Sequence, residues 1–153
     1  MNGTQLRRVE MSDKKYKIGY TTGVYDLFHI GHLNLLKKCK EACSHLIVGV
    51  TTDELVSYKH KKAVIPFEER IQIVQSIRYV DEVVPQTSMD KMEAWEELHF
   101  DVMFVGDDWK NTDKWNEFEE QFERIGVDIV YFPYTKGISS TLLNQVLVKI
   151  RDS

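Results

Sequence analysis

Two histidines three positions apart, His29 and His32, have the types and spacing best suited to chemistry. They follow a β-rich run and open a helical pattern, with Gly31 between them. A helix N-terminus offers unpaired amides and the positive end of the helix dipole, and glycine lets a ligand approach closely. Two imidazoles there can donate hydrogen bonds to a phosphate as its charge grows. Phosphate chemistry is favoured over the alternatives, two unconnected histidines or a metal site with too few ligands.

Three other polar groups follow later β-rich runs or open a helix. The run 59–62 is basic, and it is either a solvated charge run or, as its place after a strand favours, a phosphate contact. Asp107 and Asp108 can accept hydrogen bonds from a nucleotide, bind Mg²⁺, or simply cap a helix. Hydroxyls at a helix start can cap it or bind phosphates. These hydroxyls belong to Ser139, Ser140 and Thr141.

The elements that must position these residues alternate between strands and helices. The expected strands lie near 17–22, 46–50, 82–84, 102–105 and 129–132. Amphipathic helical patterns separate them: Leu33, Leu36 and Cys43 mark the first, Phe67, Ile71, Val74 and Ile77 the second, and Gly126 is expected to end the fourth. This order predicts an α/β, Rossmann-like fold, a five-stranded parallel sheet with helices on both faces. Ligands of such sheets bind beyond the carboxyl ends of the strands, where the polar groups fall.

Composition narrows the class of protein further. The chain has 153 residues, and this length predicts a single domain at 16–153 that follows a polar tail at 1–15. A net charge of −4 argues against general nucleic-acid binding, and no apolar run approaches a membrane span. Cys39 and Cys43 are interpreted as packing thiols in a reducing compartment. We therefore expect a cytoplasmic protein that binds neither nucleic acid nor membrane.

The turn that carries the histidines has a recognisable pattern, Gly23-x-Tyr25-Asp26-Leu27-Phe28-His29-x-Gly31-His32. It resembles the signature of the cytidylyltransferase-like nucleotidyltransferases, most closely the glycerol-3-phosphate cytidylyltransferases. Four further blocks agree in order. They are Thr52-Asp53-Glu54, Arg78-Tyr79-Val80-Asp81-Glu82-Val83, Gly106-Asp107-Asp108-Trp109 and Gly137-Ile138-Ser139-Ser140-Thr141. Five ordered blocks in so short a chain make the resemblance specific.

The resemblance implies an enzyme that joins CTP to a phosphorylated alcohol, with glycerol 3-phosphate favoured, and releases pyrophosphate. Mg²⁺ or Mn²⁺ would arrive with the triphosphate, and a homodimer is implied. Adenylyl transfer from ATP and a catalytically silent nucleotide-binding module stay open. The implied catalytic residues are His29, His32 and Lys59. The implied nucleotide-binding residues are Gly23, Val24, Tyr25, Gly31, Asp107, Asp108, Ser139, Ser140 and Thr141. The implied substrate-binding residues are Asp26, Lys61, Arg70, Arg78, Tyr134 and Lys136.

The chain departs from the resembled pattern on the substrate side. Val24 stands where the family has threonine, and Asn144 where related adenylyltransferases often carry a basic residue. Tyr134 stands where the glycerol-phosphate enzymes usually have arginine, a bidentate phosphate clamp that tyrosine cannot replace. Lys136 restores a positive charge two positions away. These departures leave the chemistry at the nucleotide intact and the identity of the second substrate open.

Overall fold

The computed structural model describes residues 14–58, 60–133 and 140–152, with backbone alone for 140–144. The strands are β1 (Tyr16–Gly23), β2 (Cys43–Thr51), β3 (Glu82–Gln86), β4 (Val102–Gly106) and β5 (Asp128–Phe132). The helices are α1 (Ile30–Ala42), α2 (Asp53–Tyr58), α3 (Phe67–Gln75), α4 (Lys91–Leu98), α5 (Asp113–Arg124) and α6 (Ser140–Asp152), and a 3₁₀ turn covers Asp107–Trp109.

The five strands form one parallel sheet in the order β3-β2-β1-β4-β5. The predicted α/β fold is therefore confirmed. The chain steps outward from β1 to β3, then returns to place β4 on the other side of β1. This reversal makes the gap between β1 and β4 the switch point where ligands of such sheets bind.

The core lies on both faces of this sheet. The core consists of two hydrophobic clusters, and successive residues of β2 belong to different ones. Val48 belongs to the cluster that includes Leu36 of α1, and Ile47 to the cluster that includes Phe122 of α5. Strands covered on both faces read as near-continuous apolar runs, as β2 and β4 do. The two helical layers fix the carboxyl ends of the strands, and with them the candidate site.

Three local features differ from the sequence prediction. Ile77, expected on the second helix, lies just beyond α3, which ends at Gln75 and has Ser76 as its C-cap. Cys43, expected on the first helix, begins β2 because α1 ends at Ala42 and Cys43 takes an extended backbone. Its thiol donates to the Cys39 carbonyl at 3.3 Å, and burial raises the pKa of both free thiols. The six-residue helix α2 was not expected. Gly126 takes a φ of 75° just beyond α5, as its predicted place at the end of that helix requires.

Within the described ranges, no helix is both long enough and apolar enough to cross a membrane.

Candidate active site

The loop between β1 and α1, here called the histidine turn (residues 24–29), has an unusual backbone. Tyr25 and Leu27 take positive φ angles of 55° and 53°, a conformation that non-glycine residues rarely adopt. Strained backbone of this kind concentrates at functional sites. A Cβ on Gly23 would lie 2.9 Å from the Tyr25 ring, so only glycine fits at the end of β1. The turn is built to hold one specific shape.

His29 and His32 form a reciprocal cap at the start of α1. The Nδ1 atom of His29 accepts from the Gly31 amide at 3.0 Å, and the His29 amide donates to Nδ1 of His32 at 3.1 Å. The two rings stack, with centroids 4.0 Å apart and planes at 26°. Because both Nδ1 atoms accept from the backbone, the proton of each neutral ring is assigned to Nε2. The pair therefore presents two Nε2–H donors.

Burial keeps both rings in the neutral form. It lowers the pKa of His32 to about 4, with the neighbouring His29 adding to the effect and Asp26 opposing it. Burial likewise lowers the pKa of His29. The packing behind this is aromatic, because the His32 ring centroid lies 5.4 Å from that of Tyr25 and 5.1 Å from that of Phe28. At neutral pH the histidines are hydrogen-bond donors without a positive charge.

Among the residues that the structure describes, one of these donors has no partner. The Nε2 atom of His29 is buried, and none of the residues that the structure describes hydrogen-bonds to it. A buried polar atom left unpaired costs free energy, so such an atom in a native fold needs an explanation. A phosphate oxygen bound at the N-terminus of α1 would supply the missing acceptor.

The predicted aspartates after β4 lie next to this turn. The pairing of Gly19 with Val102 and of Tyr20 with Met103 brings the ends of β1 and β4 level. The 3₁₀ turn that starts at Asp107 therefore borders the histidine turn at the switch point, and Asp107 and Asp108 are exposed there. Exposed carboxylates in this position are free to meet a ligand that spans the two strands.

Lys61 and the start of α6 also face this edge of the sheet by their place in the chain. Lys61 is exposed in the stretch between α2 and α3, where its amide donates to the Val56 carbonyl at 3.2 Å. Helix α6 begins at Ser140 and includes Thr141, in agreement with the prediction that this block opens the last helix. Lys59, Tyr134, Lys136 and Ser139 lie outside the described residues.

Two predicted substrate-binding arginines are placed differently from what was expected. Arg70 is 0% exposed, and its guanidinium bonds to protein groups, so contact with a substrate would require it to break those bonds. Arg78 follows the end of α3 and precedes β3. Helix α3 runs back along the parallel strands, so Arg78 lies at the amino edge of the sheet, away from the histidine turn. The structure does not bring Arg78 to the site of its own chain.

Asp26 is buried, and its two carboxylate oxygens accept from the amides of Val64 and Ile65 at 2.8 and 3.0 Å. These bonds connect the histidine turn to the α2–α3 stretch. Sequence reasoning missed Asp53 as a residue of interest, although it stands in one of the ordered blocks. Its carboxylate pairs with Arg70 at 2.6 Å.

Within the described residues, no three His, Cys, Asp or Glu side chains are grouped so as to hold a metal ion. Mg²⁺ in nucleotide enzymes is commonly held by one or two carboxylates together with substrate phosphates and water. The exposed Asp107 and Asp108 fit that mode, in which the triphosphate itself supplies part of the coordination.

Comparison with known proteins agrees with this fold. The family described as cytidylyltransferase-like matches residues 20–146. Glycerol-3-phosphate cytidylyltransferase of Staphylococcus aureus is 38% identical over 128 residues, covering 83% of this chain and 92% of that protein. FAD synthase of Thermococcus kodakarensis is 36% identical over 145 residues, covering 92% and 96%.

A solved structure, the lipopolysaccharide core biosynthesis protein of Thermoplasma volcanium, superimposes with a TM-score of 0.67 at 23% identity, covering 80% of this chain and 99% of that one. That likeness supports the fold alone. The family match places this parallel sheet, with a histidine-capped helix at its switch point, among the nucleotidyltransferases. The chain belongs to the cytidylyltransferase-like family.

Proposed function

We propose that this protein transfers a cytidylyl group from CTP to a phosphorylated alcohol, with glycerol 3-phosphate as the favoured acceptor. The observation that carries the proposal is the neutral histidine pair at the N-terminus of α1, with a buried Nε2 donor that has no acceptor among the described residues. Similarity to glycerol-3-phosphate cytidylyltransferases over most of the chain supports CTP and this acceptor. The implied homodimer remains a prediction.

The reaction needs positioning more than proton transfer. An oxygen of the acceptor's phosphate attacks the α-phosphorus of CTP in line, a P–O bond forms, and the bond to the β-phosphate bridge breaks. The electron pair leaves with pyrophosphate. Because the second pKa of a phosphate monoester lies near 6, the attacking oxygen is already anionic at neutral pH and needs no general base.

The chain's residues supply hydrogen bonds and charge in this scheme. The Nε2–H groups of His29 and His32 donate to the α-phosphate oxygens as charge builds up on them. The exposed Lys61, together with Lys59 as the sequence predicts, holds substrate phosphates. The amides at the start of α6 suit the β- and γ-phosphates. Mg²⁺ or Mn²⁺, when bound with the triphosphate, would neutralise charge on its oxygens, with Asp107 and Asp108 as the candidate protein ligands.

Adenylyl transfer from ATP is the second candidate, because an FAD synthase is 36% identical over 145 residues. The deciding experiment measures pyrophosphate release with CTP or ATP against glycerol 3-phosphate, phosphocholine, phosphoethanolamine, polyol phosphates and FMN. We expect turnover with CTP and one phosphorylated alcohol. Turnover confined to ATP would support the second candidate, and saturable CTP binding without turnover on any acceptor would indicate a silent nucleotide-binding module.

The acceptor can be tested through Tyr134, where the sequence lacks the arginine of the glycerol-phosphate enzymes. If glycerol 3-phosphate is the acceptor, its KM should be poor, and Tyr134→Arg should lower that KM by roughly tenfold, since a charge-assisted bond contributes about 1.5–3 kcal/mol. If the acceptor is bulkier, the same substitution should lower kcat/KM for that acceptor. A low micromolar KM of the wild type for glycerol 3-phosphate would show that Tyr134 does not signal a different acceptor.

A further inference from the structure

Arg70 is a fully buried cation at the start of α3, next to the candidate active site. Its Nε donates to the Ile65 carbonyl at 2.8 Å, and its Nη1 donates to the carbonyls of Val24 and Thr51, each at 2.7 Å. Its Nη2 pairs with the Asp53 carboxylate at 2.6 Å. One side chain thus joins the ends of β1 and β2 to the residues that precede α3.

Two carboxylates complete this arrangement from either side. Asp53, in the first turn of α2, accepts from the Phe67 amide at 3.1 Å through its other oxygen. It thereby caps α3, whose own N-cap residue Pro66 has no side-chain hydrogen bond. Asp26, in the histidine turn, accepts from the amides of Val64 and Ile65. Asp26, Asp53 and Arg70 therefore make seven hydrogen bonds of 2.6–3.1 Å, and three of these end on Val64 or Ile65 in the stretch before α3.

These bonds determine where the stretch between the two helices lies. The α2–α3 segment (residues 60–66) has no helix or strand, so its position depends on such tethers. The segment includes the exposed Lys61 and begins at His60, whose φ is 60°. Its far end is tied by Asp26 to the same turn that holds His29. The Arg70 side chain of this ion pair is fully buried, whereas that of Asp53 is 45% exposed. Removing the carboxylate is costly because it leaves the buried guanidinium charge unpaired.

We propose that Asp26, Asp53 and Arg70 form a positioning network that fixes the α2–α3 segment against the histidine turn. None of the three needs to touch the substrate. The network sets the distance between the lysine that holds the acceptor phosphate and the histidines that hold the nucleotide's α-phosphate. This proposal rests on the proposed function, because an in-line attack between two phosphates is what makes that distance matter. A displacement of about 1 Å in such a geometry can lower the rate by about 10²-fold.

The experiment compares Asp53→Asn with Glu69→Gln in the full chain. Asparagine keeps one oxygen for Arg70 but turns an amino group toward the Phe67 amide. Glu69 is an exposed carboxylate in the first turn of α3, so its substitution makes the same change of charge without touching the network. Asp26→Asn is the second variant, in case Asp53→Asn fails to fold. Arg70 itself is left unchanged, because its removal would orphan several buried groups.

Two measurements are made on each protein. Amide hydrogen exchange, read by mass spectrometry on peptides that cover 60–67, should be about tenfold faster in Asp53→Asn and unchanged in Glu69→Gln. Pyrophosphate-release kinetics should show kcat lowered by about 10–100-fold with the KM for CTP within about threefold of wild type. A role in stability alone would accelerate exchange throughout the chain and would not separate kcat from KM.

Three results for Asp53→Asn would overturn the network. The first is unchanged amide exchange at 60–67, and the second is faster exchange there with the same kcat and KM as Glu69→Gln. The third is a raised KM for the acceptor with kcat unchanged. The last would mean that the network belongs to acceptor binding. A wild-type chain that turns over no acceptor would refute the proposed function instead. The exchange comparison needs no turnover, so it would then decide by itself whether the network holds the segment.

Discussion

His32 allows the neutral-donor interpretation of the site to be tested by one substitution, His32→Gln. In the wild type, Nδ1 of His32 accepts from the His29 amide. A glutamine at this third helical position can accept from the same amide through its side-chain oxygen, so the capping bond can be retained. The Nε2–H donor and the titrating imidazole are both lost. The variant therefore separates the capping role of His32 from its proposed role at the phosphate.

The expected kinetic effect is large and falls on kcat. Loss of one donor to an oxyanion that develops in the transition state lowers kcat by about 10²–10³-fold, or about 2.7–4 kcal/mol. The KM for CTP should change little, because a neutral donor adds less to the binding of the ground state. Pyrophosphate release is measured with the acceptor that the screen identifies. An unchanged kcat would remove His32 from the mechanism.

The same variant should change how stability depends on pH. In the folded protein the pKa of His32 is lowered to about 4 from 6.5, so below pH 6.5 the unfolded chain binds a proton that the folded chain does not. Wild-type stability from this group is fully present above 6.5 and falls as the pH drops toward 4, by at most about 1.4 kcal/mol per pH unit. His32→Gln lacks this loss. The unfolding free energy of the variant minus that of the wild type should therefore increase as the pH falls.

Denaturant unfolding at pH 7, 6 and 5 measures this difference. His45→Gln is the control, because His45 is an exposed histidine paired with Glu82 at 3.1 Å, away from the histidine turn. The contribution of His29 is present in both proteins and largely cancels in the comparison. A difference in unfolding free energy that does not vary with pH would show that His32 is not held neutral by its surroundings, and the donor argument would fail with it.

Three further predictions concern the turn, the nucleophile and the lysines. Gly23→Ala should lower the free energy of unfolding by about 1–3 kcal/mol and lower kcat, because its Cβ would lie 2.9 Å from the Tyr25 ring that packs on His32. Denaturant unfolding measures the first effect and steady-state kinetics the second. A variant as stable and active as wild type would contradict the packing argument. The acid limb of kcat/KM should lie near pH 6 and move with the second pKa of the acceptor, because burial lowers the pKa of His32 to about 4. A limb that stays fixed with an acceptor of different pKa would assign it to a group of the protein such as His29, whose pKa burial also lowers. Lys61→Ala should raise the KM for the acceptor. Lys62→Ala should change that KM little, because Lys62 is ion-paired with Asp152 at 3.5 Å on the surface. Equal effects of the two variants in steady-state kinetics would mean that the lysines act only as a diffuse positive field.

The sequence predicted the fold well because two signals agreed. Val48 and its neighbours form an apolar run of strand length, and such runs alternate with helical patterns along the chain. That combination allows few arrangements other than a parallel sheet covered on both faces. Helix α2 was missed because six residues are too few to show a helical period, and Cys43 was assigned to α1 because a helix pattern does not mark the residue at which the backbone becomes extended.

The candidate site was predicted in part, and the arginines show why. Arg70 follows two glutamates at the start of a helix, a context that is typical of exposed residues, and nothing local reveals that it is buried. Its burial depends on carbonyls at Val24 and Thr51, which the fold brings together from distant parts of the chain. Arg78 could have been placed from topology, because a residue between a helix and the next parallel strand lies at the amino edge of the sheet.

The two kinds of basic side chain suit different parts of the proposed reaction. A lysine is charged before and after the substrates bind, so it attracts a phosphate about equally in the ground state and in the transition state, which lowers KM without raising kcat. A neutral imidazole such as His32 gains most when the negative charge on the α-phosphate increases, so its contribution falls mainly on kcat. Burial by Tyr25 and Phe28 lowers the pKa of His32 and so favours the neutral form of the ring that the proposed reaction requires. Lysine variants should accordingly change KM and histidine variants kcat, and the reverse pattern would exclude this division of roles.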